Sequence, residues 1–187
     1  GRPIYGAAIR TADANGVAQP KGAEGPGRIQ ARGHWMAASY FRRPDIELST
    51  PDGWMETGDI GLVTAANELR ITDRDKDVIK SGGEWISSQE LENAAAEAPG
   101  VAAAAVIGAP HPRWVERPLV IAVRAPGAAP DAADVLAHLA ARFPKWWVPD
   151  GVRFVEALPL TPTGKVDKRA LKATWVDALT ASPRGDG

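Results

Sequence analysis

The chain has 187 residues, which is enough for one medium-sized domain or two small ones. Hydrophobic residues make up 44% and charged residues 24%, as in an ordinary globular protein. The formal net charge of -1 excludes a field over the whole chain that attracts nucleic acids or acidic membranes, and the lack of cysteine excludes disulfides, thiolate nucleophiles and cysteine-bound zinc.

The first residues do not show the pattern of a secretory signal peptide. Gly1–Tyr5 has neither an initiator methionine nor the charged-then-apolar layout of a signal peptide. No apolar run reaches the roughly 18–20 residues that cross a bilayer. We therefore expect a cytoplasmic protein without a transmembrane segment, and we interpret the chain as part of a longer one.

The first part of the chain predicts small antiparallel strands. Short apolar runs, Ile4–Ile9 and Arg28–Ala31, alternate with turn-forming clusters, and an irregular stretch with several aromatic residues follows. Asp59–Val63 and Leu69–Asp73 are clearer strands. These patterns are typical of the edge of a sheet or barrel.

The last two of these strands form a predicted hairpin that brings two chemically useful residues together. If it turns about Ala66-Asn67, Asp59 lies directly across from Arg74, with Cβ atoms about 5 Å apart. A slip of the register by one residue would place the two side chains on different faces. The sequence thus predicts an acid and a guanidinium at the same end of one hairpin.

The second part of the chain predicts a compact α+β domain with elements in the order βαββαβα. Ser87–Glu90 is a capping-box pattern that opens a helix through about Ala96, and Pro99-Gly100 ends it. The other predicted elements are strands over Val101–Gly108, Leu119–Arg124 and Val152–Val155, helices over Asp131–Phe143 and Asp167–Leu179, and a frayed tail at Ser182–Gly187. The predicted fold class is α+β: a small antiparallel β subdomain over 1–75, then a domain over 77–187 with a short sheet flanked by helices.

Thr57-Gly58-Asp59 and Arg74 suit the recognition of a ribose. An ionised carboxylate offers only acceptors, which match two adjacent hydroxyls, and a planar guanidinium donates to a ribose or phosphate oxygen better than an ammonium does. The alternatives are a turn capped by the Asp59 carboxylate and a surface ion pair of Arg74 with a neighbouring aspartate.

The connector between the two parts contains a polar pivot and a glycine pair. Lys76 lies between two domain-sized pieces, where a polar residue can absorb a backbone rotation; a connector held by salt bridges is the alternative. Ser81-Gly82-Gly83 either lets a ligand chain approach the backbone closely or forms a plain tight turn. Glu84-Trp85 follows, and Trp85 either covers an adenine or pantetheine group or packs against the first helix.

Pro159–Lys165 is the strongest candidate for a catalytic loop. Its prolines stiffen one side, Gly164 frees the other, and Lys165 projects a compact ammonium that can stabilise charge on a transferring phosphoryl group. The alternative is a solvated, basic helix start. We expect no nucleic-acid binding from this short basic group, and the sequence has no glycine-rich loop of the Walker or dinucleotide type.

The histidines do not predict a metal site. His34, His111 and His138 are too scattered along the sequence to share one ion, so we interpret them as structural and predict no metal ligand. Arg113, in the loop after His111, is either a phosphate contact or an exposed residue without a partner.

Together these motifs resemble the adenylate-forming superfamily of acyl-CoA synthetases, luciferases and peptide-synthetase adenylation domains. The resemblance runs from Gly1 to Leu171, and its most specific parts are Asp52–Gly61, Arg74–Ser88 and Thr161–Lys165. The segments most similar to the fatty-acyl-CoA synthetase branch are Lys76–Ser88, Glu116–Leu119 and Lys145–Asp150. The chain departs from the common pattern at Arg28, Glu56 and Val115.

The resemblance implies a role for each candidate residue. Asp59 and Arg74 would hold the ribose of ATP and of an acyl-adenylate, Lys76 would be the hinge, and Lys165 would bridge the acyl carboxylate and the α-phosphate. CoA would be bound by the glycine loop, its neighbours and two basic residues, namely Ser81, Gly82, Gly83, Glu84, Trp85, Arg113 and Lys145.

The implied reaction has two steps. A fatty carboxylate attacks the α-phosphorus of Mg-ATP and expels pyrophosphate; the small domain then swings about Lys76, and the CoA thiol attacks the acyl carbon. In this family the pyrophosphate loop, the Mg²⁺-binding glutamate and the acyl pocket lie upstream, so residues 1–75 would end a large AMP-binding domain of the same protein. We therefore expect the 187-residue chain alone to be inactive; a homodimer is compatible with the sequence.

Other functions remain open at this point. They are an adenylate-forming ligase for an aryl or amino acid, a standalone module that binds a nucleotide or CoA, and a structural α+β domain whose loops are only tight turns. A Thr-Ser-Gly-Thr-Thr-Gly-like loop upstream of Gly1 would favour a ligase over a standalone module.

Overall fold

The computed structural model describes residues 1–43 and 45–180, which form two compact units. The first unit is Gly1–Lys76, and the second begins at Asp77. None of the described helices has the length and apolar character needed to cross a membrane. The tail predicted at Ser182–Gly187 lies outside the described residues.

The first unit contains a four-stranded antiparallel sheet whose strands lie in sequence order. The strands are β1 (Ala7–Ala12), β2 (Gly27–Gly33), β3 (Met55–Val63) and β4 (Leu69–Arg74). β1 begins later than the predicted Ile4–Ile9, because the Ala7 N–H donates to the Ile4 carbonyl and closes a turn in which Gly6 has φ +78°. Ile60 is fully buried in this unit.

The β3–β4 hairpin confirms the predicted pairing of Asp59 with Arg74 but reaches it by a different route. Next to the turn the register is one residue shorter than expected, so Val63 lies opposite Leu69. A bulge at Thr72 then adds one residue to β4 and restores the pairing of Asp59 with Arg74. The shorter register at the turn and the bulge at Thr72 therefore cancel at the end of the hairpin that carries Asp59 and Arg74.

Over residues 77–180, which the structure describes, the second unit contains a five-stranded mixed sheet and three helices. Its elements are β5 (Ile79–Ser81), β6 (Glu84–Ile86), α1 (Ser88–Ala96), β7 (Val101–His111), β8 (Val115–Arg124), α2 (Ala132–Ala140), β9 (Gly151–Val155) and α3 (Lys168–Thr174). β8 pairs with β7 along its whole length in antiparallel register, and it also pairs with β5 at its start and with β9, in parallel, further along. β8 is thus the central strand.

Both faces of the β7–β8 pair are buried. Val106 and Val120 belong to one apolar cluster with side chains of α1 and α2, whereas Ile107 and Leu119 belong to a second cluster with Leu171 of α3. Successive side chains of a strand point to opposite faces, which explains why neighbouring residues join different clusters. Two covered faces also explain why β7 and β8 are nearly continuous apolar runs.

The fold class predicted from the sequence is confirmed, and the differences lie at the ends of elements. The β5–β6 hairpin was not predicted, because each strand has only three residues. α2 ends at Ala140 instead of Phe143, since Pro144 disfavours helical geometry in the residue before it. α3 ends at Thr174, short of the predicted Leu179.

Candidate functional site

The first candidate site lies where β3 and β4 end side by side. Arg74 Nε lies 2.8 Å from Asp59 Oδ1, and the Arg74 side chain is 63% exposed while that of Asp59 is 22% exposed. The Thr57 hydroxyl donates to the Ile29 carbonyl and accepts the Asp59 N–H. Arg74 therefore forms its ion pair across the hairpin with Asp59, and the pair presents acceptors and donors at one edge.

A cavity of about 190 Å³ opens beside this pair. It is lined by Arg28, Glu56, Gly58, Asp59 and Asp75. Arg28 Nε lies 3.6 Å from Asp75 Oδ1, and the Asp75 N–H donates to the Gly58 carbonyl over 3.0 Å. The carboxylates around the cavity offer acceptors to the hydroxyls of a bound sugar.

A polar network that the sequence did not reveal supports this cavity. Gln30 is 1% exposed; its Nε2 donates to Glu56 Oε1, and its Oε1 accepts from Arg10 Nε, both over 2.6 Å. The Arg10 guanidinium also lies 2.8 Å from Asp52 and stacks 4.4 Å from the ring centre of Trp54. The Asp52–Trp54 motif is thus tied to the strand that carries the site.

Asp52 titrates in an unusual environment for an exposed acid. The Thr50 hydroxyl donates to Asp52 Oδ1 over 2.7 Å, and this hydrogen bond, with a smaller effect from Arg10, holds the pKa of the Asp52 carboxyl below its ordinary value. Because the pKa of Asp52 is lower in the folded than in the unfolded chain, ionised Asp52 stabilises the folded state at pH values above its pKa in the unfolded chain. This stabilisation is lost as the pH falls through the pKa of Asp52 in the folded chain.

The second candidate site begins at the β5–β6 hairpin, which turns on Gly82 and Gly83. Their φ angles are +59° and +92°, as a type I′ turn requires at both central positions. The glycine pair therefore has a structural cause, as the tight-turn alternative predicted. A Cβ on Gly82 would lie 2.8 Å from Trp114 Cε3, whereas nothing lies within 4 Å of the same point on Gly83.

This difference gives a matched pair of variants. Both Gly82→Ala and Gly83→Ala force alanine into a left-handed conformation, which costs about 1–2 kcal/mol. Gly82→Ala also displaces the Trp114 ring, and overpacking of this kind adds about 1–3 kcal/mol. We expect urea unfolding to show the larger loss for Gly82→Ala; equal losses would contradict the contact with Trp114.

A cavity of about 370 Å³ adjoins the hairpin. Its lining residues are Ser81, Gly82, Glu84, Trp114, Arg117, Lys145, Trp146 and Asp150. It therefore brings together four residues that the sequence had indicated for CoA, Ser81, Gly82, Glu84 and Lys145, while Gly83, Trp85 and Arg113 do not line it. The indoles of Trp114 and Trp146 and the ammonium of Lys145 suit a polar chain that ends in an aromatic ring.

The β7–β8 turn shapes one wall of this cavity. Val115 has φ +71°, a strained conformation for a β-branched residue. The Gly82 N–H donates to the Trp114 carbonyl over 3.0 Å, and Ser81 pairs with Val115. Arg113, one of the predicted phosphate contacts, is exposed and stacks on the Trp114 ring at 4.5 Å.

The Lys165 loop is a closed turn that exposes its lysine. The Gly164 N–H donates to the Thr161 carbonyl over 2.9 Å, and the Thr161 N–H donates to the Lys165 carbonyl over 2.7 Å. The Lys165 side chain is exposed, and its ammonium has no ion-pair or hydrogen-bond partner within the part of the chain that the structure describes. The backbone is thus fixed while the cation stays accessible.

Lys168 differs from Lys165, so the solvated helix start considered from the sequence is wrong for this residue. Its ammonium lies 2.9 Å from Glu92 Oε1 and 2.7 Å from Ser88 Oγ, and the Lys168 and Glu92 side chains are only 16% and 13% exposed. Glu92 Oε1 also accepts the Val106 N–H over 2.8 Å. The helix that follows the Lys165 loop is therefore held to α1 and β7 by a largely buried ion pair.

Removal of this ion pair should destabilise the second unit. Lys168→Met removes the ammonium that pairs with Glu92 in a largely buried position, and we expect a loss of about 3 kcal/mol in the free energy of unfolding. Arg169→Met, at an exposed neighbouring position, should change it by no more than about 0.5 kcal/mol. Chemical denaturation of the 187-residue chain measures both, and equal effects would show that the pair does not anchor α3.

The described residues do not fit a resident metal ion. Within 1–43 and 45–180, no group of three or more histidine, aspartate and glutamate side chains is placed to hold one. His111 has protein partners: its Nδ1 accepts the Arg113 N–H over 3.1 Å, and its Nε2 lies 3.7 Å from Asp150 Oδ2.

Known proteins resemble this chain in sequence. Residues 90–165 match the family described as AMP-binding enzyme C-terminal domain. The 3-methylmercaptopropionyl-CoA ligase of Ruegeria pomeroyi is 50% identical over 180 residues, which cover 96% of this chain and 33% of the relative. The medium-chain-fatty-acid–CoA ligase of Ectopseudomonas oleovorans is 42% identical over 183 residues, or 97% of this chain and 33% of the relative.

The fold agrees with a solved structure. The crystal structure of ATP-bound MatB from Rhodopseudomonas palustris matches with a TM-score of 0.83 and 32% identity, over 95% of this chain and 36% of that chain. The chain spans about a third of the length of the curated relatives that it matches. It belongs to the adenylate-forming superfamily and carries an AMP-binding enzyme C-terminal domain.

Proposed function

We propose that this chain is the C-terminal part of an ATP-dependent ligase that joins a carboxylic acid to CoA. The observation that carries the proposal is the accessible Lys165 ammonium on a closed loop, in the same unit as the Ser81–Gly83 hairpin and its cavity. The CoA ligases among the relatives support the same reaction class. One small unit thus carries a group suited to each of two successive steps.

In the first step a carboxylate oxygen attacks the α-phosphorus of ATP, and pyrophosphate leaves. Lys165 bridges the carboxylate and the α-phosphate, where a cation stabilises the charge that grows in the transition state. Asp59 and Arg74 hold the ribose: the carboxylate accepts from its hydroxyls, and the exposed guanidinium donates to its oxygens. The product is an acyl-adenylate.

In the second step the CoA sulfur attacks the acyl carbon, AMP leaves, and the thiol proton is released. The Ser81–Gly83 hairpin and Glu84-Trp85 line the path of the CoA arm, and Arg113 and Lys145 approach its phosphates. The exposed tip of the glycine turn lets the arm pass close to the backbone. A rotation about Lys76, which ends the first compact unit, exchanges Lys165 for the hairpin.

We propose a fatty acid as the substrate, because the Ectopseudomonas relative is named for medium-chain fatty acids and Lys145–Asp150 resembles that branch. A second candidate is a short thioether acid, which the more similar Ruegeria relative is named for. A ligase for aryl or amino acids is the broader alternative. The cytoplasmic location and a homodimer stay predictions.

The full-length protein that contains this chain, incubated with ATP, Mg²⁺, CoA and a panel of fatty, thioether, aryl and amino acids, tests the proposal. We expect pyrophosphate release and a CoA thioester, measured by mass spectrometry, with a preference for aliphatic acids. The 187-residue chain alone should catalyse no pyrophosphate exchange. Pyrophosphate exchange by the isolated chain would contradict the proposal that adenylation requires the rest of the full-length protein. The absence of any thioester from the full-length protein would contradict the proposed reaction.

A further inference from the structure

Arg117 is a buried cation in the wall of the larger cavity, and the sequence did not indicate a role for it. The residue is 8% exposed. Its Nε donates to Asp150 Oδ1 over 2.8 Å. Its Nη1 donates to Ser81 Oγ over 3.2 Å and to the Trp146 carbonyl over 2.6 Å. Its Nη2 donates to the Val148 carbonyl over 2.8 Å and lies 2.8 Å from Asp150 Oδ1. Every guanidinium nitrogen is therefore engaged by protein.

These bonds join two walls of the cavity that are far apart in sequence. Ser81 belongs to the glycine hairpin, whereas the other partners belong to the segment 145–150. That segment also carries Lys145 and Trp146, which line the cavity. The motifs Glu116–Leu119 and Lys145–Asp150, which the sequence indicated separately, thus meet through one guanidinium.

We propose that Arg117 is a positioning residue for the CoA-dependent step, and this inference rests on the proposed function. It fixes the distance between the glycine hairpin and segment 145–150, and so the shape of the cavity that receives CoA. Because its donors are already used by protein, Arg117 acts through its neighbours and does not bind CoA itself. Only arginine fits this position, since the compact ammonium of lysine lacks the planar fork that reaches both walls at once.

Arg117→Lys in the full-length protein should show a selective kinetic defect. We expect the KM for CoA to rise by roughly 10–100-fold, because a displacement of about 1 Å in a positioned group has effects of this size. Pyrophosphate exchange, which requires no CoA, should stay within about twofold of the wild type. Arg124→Lys is the matched control: it lies on the same strand, stacks on Phe154 outside the cavity, and should leave the KM for CoA unchanged.

Asp150→Asn keeps the test informative if Arg117→Lys does not fold. It removes the charge that pairs with Arg117 while it keeps the shape of the side chain, and we expect a smaller rise in the KM for CoA with unchanged pyrophosphate exchange. Equal losses in both half-reactions would show a purely structural role, and no change in either would show that Arg117 does not shape the site; both overturn the inference. If the wild-type protein catalyses no pyrophosphate exchange at all, the proposed function fails, and the inference fails with it.

Discussion

Lys165→Ala should slow adenylation by about 10²–10³-fold, which is the usual cost of removing one donor that stabilises a transition state. The full-length protein is assayed for pyrophosphate exchange, which reports the first step alone. Formation of the CoA thioester from supplied acyl-adenylate should be much less affected. In the proposed mechanism the ammonium acts on the α-phosphate only before pyrophosphate leaves, and the Lys165 ammonium has no hydrogen-bond or ion-pair partner among the described residues.

Arg169→Ala is the matched control for this variant. It removes an exposed cation close in sequence to Lys165, so it changes the local charge equally without touching the loop. We expect both half-reactions to proceed normally in this control. An equal loss of adenylation in Arg169→Ala would assign the effect to net charge, and equal loss of both steps in Lys165→Ala would refute the domain swing.

Lys76→Pro should slow thioester formation by about 10²-fold and affect adenylation much less. Proline fixes φ near −65° and restricts the residue before it, so the connector would lose the change of backbone angles that the proposed rotation needs between the two steps. A displacement of about 1 Å in the incoming group is enough for a loss of this size. Single-turnover thioester formation from acyl-adenylate measures the effect.

Lys76→Ala separates the backbone of the pivot from its charge. Alanine removes the ammonium but keeps a rotatable φ, so we expect a thioester rate close to that of the wild type. If Lys76→Ala is as slow as Lys76→Pro, the lysine side chain and not the rotation matters. If neither variant is slow, the pivot lies elsewhere in the connector.

The elements and residues with local signals were predictable from the sequence. The Ser87 side chain accepts the Glu90 N–H, as the capping-box pattern predicted, and α1 ends at Ala96 as expected. The simple hairpin register also placed Asp59 opposite Arg74, but this pairing forms only because a bulge in β4 cancels a register that is one residue shorter at the turn. Such features depend on residues close in sequence, whose geometry follows from a few rules.

The supporting residues could not be predicted, because their partners are distant in sequence. Arg117 meets Asp150, Lys168 meets Glu92, and Gln30 meets Glu56 only after the sheets have formed. Each looks like an ordinary surface residue in the sequence, where polar side chains are the norm. The one signal was indirect: the motifs that hold Arg117 and Asp150 both resemble a single branch of the superfamily, as expected for residues that share a site.

Two crystal structures of the full-length protein would show whether Lys165 and the glycine hairpin exchange places: one with a non-hydrolysable acyl-adenylate analogue, and one with the analogue and CoA. In the structure without CoA, we expect Lys165 Nζ to lie within hydrogen-bonding distance of the α-phosphate. In the structure with CoA, we expect the Ser81–Gly83 hairpin to lie beside the adenylate instead of Lys165. An ammonium that points into bulk solvent in both structures would contradict this exchange.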